Sequence, residues 1–506
     1  MRNTATLPEI TSMEQARGVL GSLHQQLQQA LWRVSQLEKA LYGASSERQA
    51  NSPFSKEQTL LSLFGQAQPA STDNVVVPED QSKVERRPRT PVVAKELETV
   101  TERIEPAEKV CPHCGKDKCE IGCEKSERYE FIPAKVVRHE IVRPKLACKC
   151  GQGAVSIAPL PPQVIEQGKA GASLVTQVIM NKFDNHMPLY RQEQEFARLG
   201  LNFPRQTLAD WVEKGAQWLQ AIVGEMKREL LAGDYLQVDE TPVKVMDPDH
   251  PGKCATGWLW VGGRPGGYVI FEFHRGRGKA EGAAFLGNFK GTLQRDGYGV
   301  YGSLARDNPG LIPAGCWSHA RRKFVDALEE GTPAATQIVE ELRKLYLIER
   351  HAREQKLDAV QRKALRQEKA APILTALKPR LEGQLDQCLP QSPLGKAVRY
   401  TLAEWSALTR YLEDGRVEID NNLTENAIRP SAVGKKNWLF IGHPEAGWRS
   451  AVIYSVIVSC RRMGIDPWEY MRDVLRRLPS MKQSEIALIL PGRWKSASTE
   501  RVPSVS

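Results

Sequence analysis

The sequence lacks any apolar stretch long enough to span a bilayer. The longest such stretch, AVIYSVIVSC at 451–460, is about half the length that a membrane-spanning helix needs. The N-terminal segment MRNTATLPEI has one basic residue and no apolar core after it, so it does not resemble a secretory signal. Together these absences predict a soluble, cytoplasmic protein without a membrane partner.

Cysteine is present, but its expected setting argues against disulfide bonds. The ten cysteines of an intracellular chain are more often metal ligands or free thiols. Six of them lie between residues 100 and 165. The other four are scattered, and we interpret them as ordinary apolar side chains: Cys254, Cys316, Cys388 and Cys460.

Charge is ordinary in amount but unequal in sign. Charged residues make up 26% and hydrophobic residues 41% of the chain, which is the balance of a soluble globular protein. The net charge of +10 favours an acidic partner such as nucleic acid, although charge alone does not define a fold.

Apolar residues recur every seven positions near the N-terminus. The two sets predict the a and d positions of a coiled coil: Leu20, Leu27, Val34 and Leu41, and Leu23, Ala30 and Leu37. The pattern lasts only about three heptads, so an amphipathic helix packed on its own chain is an alternative. A zipper here predicts a homodimer or a higher homo-oligomer.

Two helices joined by a glycine-containing turn are predicted between 170 and 230. In PLYRQEQEFARLGLNFPRQTLADWV the second helix would begin with RQTLADWV, directly after Pro204. This outline matches a helix-turn-helix, so DNA contact is one interpretation and ordinary helical packing is the other.

From residue 233 onward the pattern changes to strands. DYLQVDETPVKV, GWLWVGG and GYVIFEF are strand-like, and the helix-like GKAEGAAFLGNF, then GTLQRDGYGVYGSL and AGCWSHARRKFVDAL follow. The order strand, strand, strand, helix, strand, helix is that of a ribonuclease-H-like fold. Residues 327 to about 412 are rich in Leu, Ala, Lys, Arg and Glu, which predicts a helical insertion.

Three acidic residues are candidates for a common metal site. Asp239 follows the apolar run YLQV, where we expect a strand to finish, and Asp296 follows GTLQR. Glu425 lies on a helix that should begin near Asn422. Carboxylates on two adjacent strand ends and one helix can hold two hard cations, Mg²⁺ or Mn²⁺, for phosphodiester chemistry.

Each of these acids also has a simpler interpretation. An Asp after a strand is often a turn former or a helix cap, and Glu425 has the spacing of a capping box with Asn422. Asp307 is a rival for the second acid, and Glu418 and Asp420 are rivals for the third.

Basic residues flank the candidate acids. We predict that they contact DNA phosphates near the cleavage point, the alternatives being a solvated basic face and, for Arg429, a salt bridge to Glu425. They are His319, Arg321, Arg322, Lys323, Arg429, Lys435 and Lys436.

The cysteine pairs predict a structural zinc site. Cys111 and Cys114 form a CxxC knuckle, and Cys148 and Cys150 follow some thirty residues later. Two close thiolate pairs suit tetrahedral Zn²⁺, with reduced structural thiols as the alternative. On spacing alone, the nearby spare residues Cys119 and Cys123 could replace a member.

At these residues the chain resembles the DDE transposases of insertion-sequence family sixty-six, over nearly its whole length. LEKALYGASSER resembles the end of that family's zipper, and CPHCGKD with YEFIPAKVVRHEIVRPKLACKC resembles its zinc-binding segment. The catalytic-domain blocks are QVDETPVKV, LQRDGYGVY, CWSHARRKF and DNNLTENAIRPSAVGKKNWLFIGHPEAGWRSAVIYSVI. DPWEYMRDVLRRLP resembles the family's C-terminal helix.

The resemblance implies roles for particular residues. It implies that Asp239, Asp296 and Glu425 are the catalytic acids, and it favours Glu425 over its rivals. It also favours Cys111, Cys114, Cys148 and Cys150 as the zinc ligands and implies that an insertion before the Glu is normal. Double-stranded DNA, as terminal inverted repeats and target, is the implied partner, with two small accessory proteins encoded beside the transposase.

These observations predict a multidomain α+β protein with a ribonuclease-H-like α/β catalytic core. Its parts are a coiled coil at 10–45, a disordered linker at 46–98, a zinc-binding domain at 99–165, a helix-turn-helix-like unit at 170–230, a catalytic domain at 231–462 with a helical insertion at about 327–412, and a C-terminal helix at 463–480.

The predicted function is cleavage of element ends and their joining to target DNA. One alternative is a non-catalytic DNA-binding regulator or domesticated remnant. Another is a structure-directed, metal-dependent nuclease that uses the same fold. The three acids distinguish the enzymes from the regulator, because a binding protein has no need of them.

Overall fold

The computed structural model describes residue 113 and residues 136–146, 156–166, 168–330 and 333–494. The elements below all belong to the compact unit that spans Glu124–Ser506. The predicted coiled coil, the linker, and the four predicted zinc ligands lie outside the described residues. No helix in the described ranges is long and apolar enough to cross a membrane.

The described ranges contain seven strands and fourteen α-helices. The strands are β1 (Lys145–Leu146), β2 (Ser156–Ile157), β3 (Tyr235–Met246), β4 (Cys254–Gly263), β5 (Val269–His274), β6 (Gly291–Gln294) and β7 (Leu311–Ala314). The helices are α1 (Ala172–Phe183), α2 (Leu189–Arg198), α3 (Arg205–Leu231), α4 (Lys279–Leu286), α5 (Gly299–Asp307), α6 (Trp317–Ala327), α7 (Pro333–Glu354), α8 (Ala359–Leu365), α9 (Ala371–Leu385), α10 (Pro393–Ala403), α11 (Trp405–Thr409), α12 (Asn422–Trp438), α13 (Gly447–Arg462) and α14 (Pro467–Arg477).

The central element is a mixed five-stranded sheet of order β5-β4-β3-β6-β7. β3, β4 and β5 are joined by antiparallel pairing. β6 runs parallel to β3, and β7 runs parallel to β6. The strand LIPA of β7 was not predicted from the sequence, because four residues containing a proline give almost no periodic signal.

β3 is longer than the sequence predicts around its first acid. Asp239 was expected where a strand finishes, but β3 continues to Met246 and pairs with β4 along that whole length. The prediction was wrong because Asp239 and Glu240 interrupt the apolar run, while the partner strand keeps the backbone extended through them. What ends near Asp239 is the pairing with β6, which stops at Gln237.

Helix α13 packs on β5, at one edge of the sheet. Its buried hydroxyls meet backbone groups of that edge: Val269 N–H donates to Ser459 Oγ at 2.9 Å, and Phe271 N–H donates to Ser455 Oγ at 2.8 Å. Four residues of helix rise about 6 Å, close to two residues of strand at about 6.6 Å. The spacing of the two serines therefore covers an edge that would otherwise leave unpaired donors.

The predicted insertion is helical, from α7 through α11. A short π-helix at Arg366–Ala370 lies between α8 and α9. There the fully buried Arg366 donates to both carboxylate oxygens of Glu349, at 2.7 and 2.8 Å. Arg366 Nη1 also donates to the carbonyls of Tyr411 and Val417 at 2.8 Å. Arg366 therefore holds the segment that leads from the insertion to α12.

Helices α2 and α3 occupy the predicted helix-turn-helix. α3 begins at Arg205, directly after Pro204 as predicted, but it runs for 27 residues to Leu231. Leu208, Trp211 and Leu219 are among its buried residues. Its length and burial place one face of α3 in the core, and DNA contact by this pair stays a prediction.

The C-terminal helix α14 begins after Asp466, whose side chain accepts hydrogen bonds from Trp468 N–H and Glu469 N–H. A 3-10 segment at Gln483–Ile489 follows and buries Ile486 and Ile489. No clear pattern in the sequence predicted this last segment.

Candidate functional site

A buried network of amides joins the two central parallel strands. Tyr235 Oη donates to Gln294 Oε1 at 2.5 Å, and Gln237 Nε2 donates to the same oxygen at 2.9 Å. Tyr235, Gln237 and Asp239 share one face of β3, since alternate residues of a strand point the same way. Asp239 therefore lies on the same side of the sheet as this network.

The same network holds the segment that leads to α12. Gln237 Nε2 donates to Asp420 O at 3.1 Å, and Gln294 Nε2 donates to Glu418 O at 2.7 Å. Thr424 Oγ1, in the first turn of α12, donates to Gln237 Oε1 at 3.2 Å. These three hydrogen bonds to strand side chains would be costly to leave unmade in a buried site, so they hold the start of α12 over β3 and β6.

Asp239 and Asp296 lie at corresponding positions, Asp239 inside β3 and Asp296 two residues beyond the end of β6. Gln237 is paired with Gln294, and each Asp comes two residues later. Asp239 Oδ1 accepts the Glu240 N–H at 2.8 Å, and Asp296 Oδ1 accepts the Tyr298 N–H at 2.9 Å. The hydrogen bonds among the described residues thus engage Oδ1 of each carboxylate and leave Oδ2 for a cation.

The loop that carries Asp296 is held by the insertion. Arg295 Nη1 donates to Glu404 Oε2 at 2.5 Å and to Asp296 O at 2.8 Å. A Cβ on Gly297 would lie 2.3 Å from the ring of Tyr400 in α10. Glycine therefore follows Asp296 because the inserted helices approach the backbone there.

Glu425 lies in the first turn of α12. The helix cap is Asn421 rather than Asn422, and its side chain makes no capping hydrogen bond. The capping-box interpretation of Glu425 is therefore wrong for this helix. Glu425 Oε1 is buried and has no hydrogen-bond partner in the structure.

Burial and the neighbouring acids raise the pKa of Asp239. Burial first, and then the charges of Glu240, Glu425 and Asp296, raise the pKa of Asp239 to about 8. A carboxyl with this pKa marks a site where negative charge lacks a counter-ion. A divalent cation is the group that would supply it.

The structure reveals a fourth acid that was not considered from the sequence. Glu240 lies next to Asp239 on the opposite face of β3, and its buried carboxylate pairs with Arg277 at 3.0 Å. Burial raises the pKa of Glu240, with Arg277 opposing that change. The Arg277 guanidinium also stacks 3.8 Å from the ring centre of Tyr298. The adjacent acids in QVDET were the signal that could have drawn attention to Glu240.

The rival acids occupy other environments. Asp307 ends α5, is largely exposed and pairs with Lys279. Glu418 pairs with Arg362 at 2.8 Å. Asp420 is buried near Glu425, and burial raises its pKa to about 6, but its carboxylate oxygens accept hydrogen bonds from the N–H and side-chain amide of Asn422.

The basic residues of α6 divide into exposed and packed groups. Arg322 is 46% exposed and lies 3.9 Å from Glu425 Oε2. His319 Nδ1 lies 3.7 Å from Glu425 Oε1. Arg321, only 8% exposed, stacks 5.0 Å from the ring centre of Tyr346, and Lys323 lies over Tyr400. Burial of Arg321 favours a packing role over the phosphate contact predicted for it.

The basic residues of α12 extend along the same helix as Glu425. Arg429 and Lys436 are exposed. No ion pair between Arg429 and Glu425 is found within the described part of the chain, where Glu425 faces His319 and Arg322 instead. Lys435 Nζ donates to Pro242 O at 3.1 Å, so it ties α12 to β3.

Comparison with known families identifies the family of this chain. Residues 167–449 match the family described as "Transposase IS66 family". The chain belongs to the IS66 family of transposases. Residues 108–151 match the zinc-finger binding domain of transposase IS66, and residues 455–491 match the IS66 C-terminal element. The predicted resemblance to insertion-sequence family sixty-six is confirmed, and membership supports binding to DNA.

Relatives of the transposase occur in Sinorhizobium fredii (strain NBRC 101917 / NGR234). Uncharacterized protein y4jD is 33% identical over 92% of this chain and 94% of its own length. Uncharacterized protein y4qI is 34% identical over 82% of this chain and 79% of its own length. Similarity over most of both chains means that the whole transposase, not one domain, is shared.

The zinc-finger match covers all four predicted ligands. Cys111, Cys114, Cys148 and Cys150 fall within residues 108–151, although all four lie outside the described residues. The match supports a structural zinc ion in this segment. The particular set of four thiolates stays a prediction.

Proposed function

We propose that Asp239, Asp296 and Glu425 bind two divalent cations, Mg²⁺ or Mn²⁺, and that the transposase cleaves element ends and joins them to target DNA. The observation that carries this proposal is that Asp239 and Asp296 each follow by two residues the paired Gln237 and Gln294 of the parallel strands β3 and β6, near the first turn of α12. Three carboxylates from two strands and one helix supply the oxygen ligands that these cations prefer.

We propose two ions rather than one. In the described residues, the three carboxylates do not form a trio with oxygens all within 4.8 Å. Ligands of a two-ion site need not do so, because the ions themselves are about 3.5–4 Å apart and each ligand lies about 2 Å beyond its ion.

The sheet supports a ribonuclease-H-like core. Three antiparallel strands are followed by two parallel ones, in the order β5-β4-β3-β6-β7. From β3 the chain visits strand, strand, strand, helix, strand, helix, strand, helix, which is the predicted order with β7 and a further helix added. The helical insertion lies between α6 and α12 and leaves this core intact.

Bound cations would activate a water or a 3′-hydroxyl and stabilise the leaving oxygen. Asp239 and Asp296 would present their Oδ2 atoms from fixed backbone positions, since Oδ1 of each is held by a neighbouring N–H. Glu425 would approach from α12. The exposed Arg322, Arg429 and Lys436 lie on the two helices around Glu425 and would contact backbone phosphates.

Other parts of the chain would organise the DNA complex. We propose that the heptads at 10–45 join at least two copies and that the zinc-binding segment holds Zn²⁺ through Cys111, Cys114, Cys148 and Cys150. Terminal inverted repeats and target DNA are the proposed substrates. Two small accessory proteins from the same element are proposed partners.

The first test is strand cleavage by purified protein on DNA that contains the element ends, with Mg²⁺. Asp239→Asn or Asp296→Asn should lower the cleavage rate by at least about a thousandfold, because the cations lose a ligand and transition-state charge is unsupported. Asp307→Asn is the matched control and should cleave at the wild-type rate. Cleavage by Asp239→Asn at the wild-type rate would overturn the catalytic role proposed for Asp239.

Products distinguish the remaining functions. Joining of the cut 3′ end to a second DNA indicates transposition, whereas hydrolysis without joining indicates a structure-directed nuclease. Salt-dependent binding to element ends without cleavage in either Mg²⁺ or Mn²⁺ indicates a regulator.

A further inference from the structure

A second group of possible metal ligands lies beside the carboxylates. Cys316, His319 and Glu425 have ligand atoms all within 4.8 Å of one another, and among the described residues this is the one such trio. Cys316 caps α6 and His319 follows three residues later, so they share one face of the helix start. Glu425 comes from α12.

Two of the three side chains have a buried polar atom that is unsatisfied within the described residues. His319 Nδ1 and Glu425 Oε1 are both buried atoms without a hydrogen-bond partner, and they lie 3.7 Å apart. That separation is too long for a hydrogen bond. Bonds of about 2.0–2.2 Å to one tetrahedral ion would place two such ligands roughly 3.3–3.6 Å apart.

A further group nearby also lacks partners. Asn421 is fully buried, and neither polar atom of its side chain has a hydrogen-bond partner. Its backbone N–H lies 3.5 Å from Cys316 Sγ and donates to it. A buried polar side chain left unpaired costs free energy, so this corner of the site fits a missing polar occupant.

The donor set selects a different ion from that of the catalytic acids. Sulfur, imidazole nitrogen and one carboxylate oxygen suit Zn²⁺ or a similar borderline ion, while Mg²⁺ prefers oxygen alone. Three protein ligands leave the fourth tetrahedral position open. His319 and Glu425 are both about one-quarter exposed, so that position is accessible.

We propose that Cys316, His319 and Glu425 bind one zinc-class divalent ion that is separate from the zinc-finger ion. Cys316, interpreted from the sequence as an ordinary apolar residue, is then a ligand. If the proposed catalytic role of Glu425 holds, this ion competes with the catalytic cations for that carboxylate. Zn²⁺ would then inhibit Mg²⁺-dependent cleavage.

The test measures zinc rather than activity. Full-length protein and its variants are equilibrated with Zn²⁺, freed of unbound ion, and analysed for zinc per chain by mass spectrometry. Cys316→Ala and His319→Ala should each hold one zinc fewer than the wild type, while the zinc-finger ion is retained in all. Their affinity for the lost ion should fall more than about 100-fold, since loss of an outer-shell partner alone costs 10–100-fold.

Matched variants separate this site from the others. Cys254→Ala, at an exposed free cysteine, should keep the wild-type zinc content. His319→Ala serves where Cys316→Ala fails to fold, because His319 is partly exposed. Equal zinc content in the wild type and in folded His319→Ala overturns the proposal.

Two further variants distinguish failure here from failure of the catalytic proposal. Glu425→Gln should lose the additional zinc, and Asp239→Asn should keep it. Loss of that zinc from Asp239→Asn would assign the ion to the carboxylate site and overturn this inference. Retained cleavage by Asp239→Asn, with zinc still lost from His319→Ala, would reject the catalytic assignment alone.

Discussion

Two buried groups of charge in this transposase are built in opposite ways. In the insertion, Arg366 and Glu349 are fully buried and joined by two hydrogen bonds, and Arg366 also donates to backbone carbonyls. In the sheet, Asp239 is buried near other acids that raise its pKa. Glu425 Oε1 beside it has no hydrogen-bond partner.

The difference separates structural charge from functional charge. A buried ion pair is tolerable when each donor and acceptor is satisfied, as at Arg366. Buried like charges lower the stability of a fold unless a group from outside the chain neutralises them. The insertion cluster is therefore satisfied within the chain, whereas the acid cluster would be neutralised by the proposed cations.

Breaking the insertion pair should give the largest change in stability. Glu349→Gln leaves the buried guanidinium of Arg366 without its counter-charge, which should lower the free energy of unfolding by about 3–5 kcal/mol. Chemical denaturation of the full-length, zinc-supplied protein measures this change in the free energy of unfolding. Because Arg366 holds the segment that leads to Glu425, cleavage should fall as well.

A double variant checks the cause. Glu349→Leu with Arg366→Met removes both charges together and should recover much of the loss, since replacing a buried pair by apolar groups is often neutral or better. Double-variant stability no better than that of Glu349→Gln would mean that packing, not charge, holds this corner.

The acid cluster should respond in the opposite direction. Asp239→Asn should stabilise the cation-free protein, roughly by 1–3 kcal/mol at pH 8, since the raised pKa reports an unfavourable charge that asparagine lacks. In the wild type the folded state keeps a proton up to about pH 8, while the unfolded state releases it near pH 4. Wild-type stability therefore falls as pH rises between these values, and the benefit of Asp239→Asn grows.

Thermal melts at several pH values, with and without Mn²⁺, measure this effect. Mn²⁺ should raise the melting temperature of the wild type more than that of Asp239→Asn. Asp307→Asn, at an exposed carboxylate, should show no comparable gain. A stabilisation by Asp239→Asn that is the same at pH 5 and pH 8 would contradict the electrostatic explanation.

Much of the site could be predicted from sequence because its signals are local. Asp239 and Asp296 were recognised beside the strand-like runs YLQV and GTLQ, and the start of α12 near Asn422 was expected and observed. The block around Glu425 carried the family resemblance. Local patterns therefore located the elements and the family.

What the sequence could not show depends on contacts between distant residues. The Gln237–Gln294 network joins residues 57 apart, and the Arg366–Glu349 pair shows only as two charges in a helical region. Cys316 looked like an isolated thiol, because His319 and Glu425 complete its trio only after α6 and α12 meet. β7 was missed, and Asp239 was placed at a strand end, because pairing with neighbours decides where short strands begin and stop.

The smallest destabilising effect is expected at the edge strand β5, where polar groups are satisfied without charge. Ser459→Ala leaves the buried Val269 N–H without its acceptor, which should cost about 1–3 kcal/mol of unfolding free energy. Ser480→Ala, whose exposed hydroxyl only donates to Arg477 O, should cost less than about 0.5 kcal/mol. If the two variants melt alike, the serines of α13 do not protect β5. A clear difference would mean that the buried serines of α13 protect the backbone donors of β5.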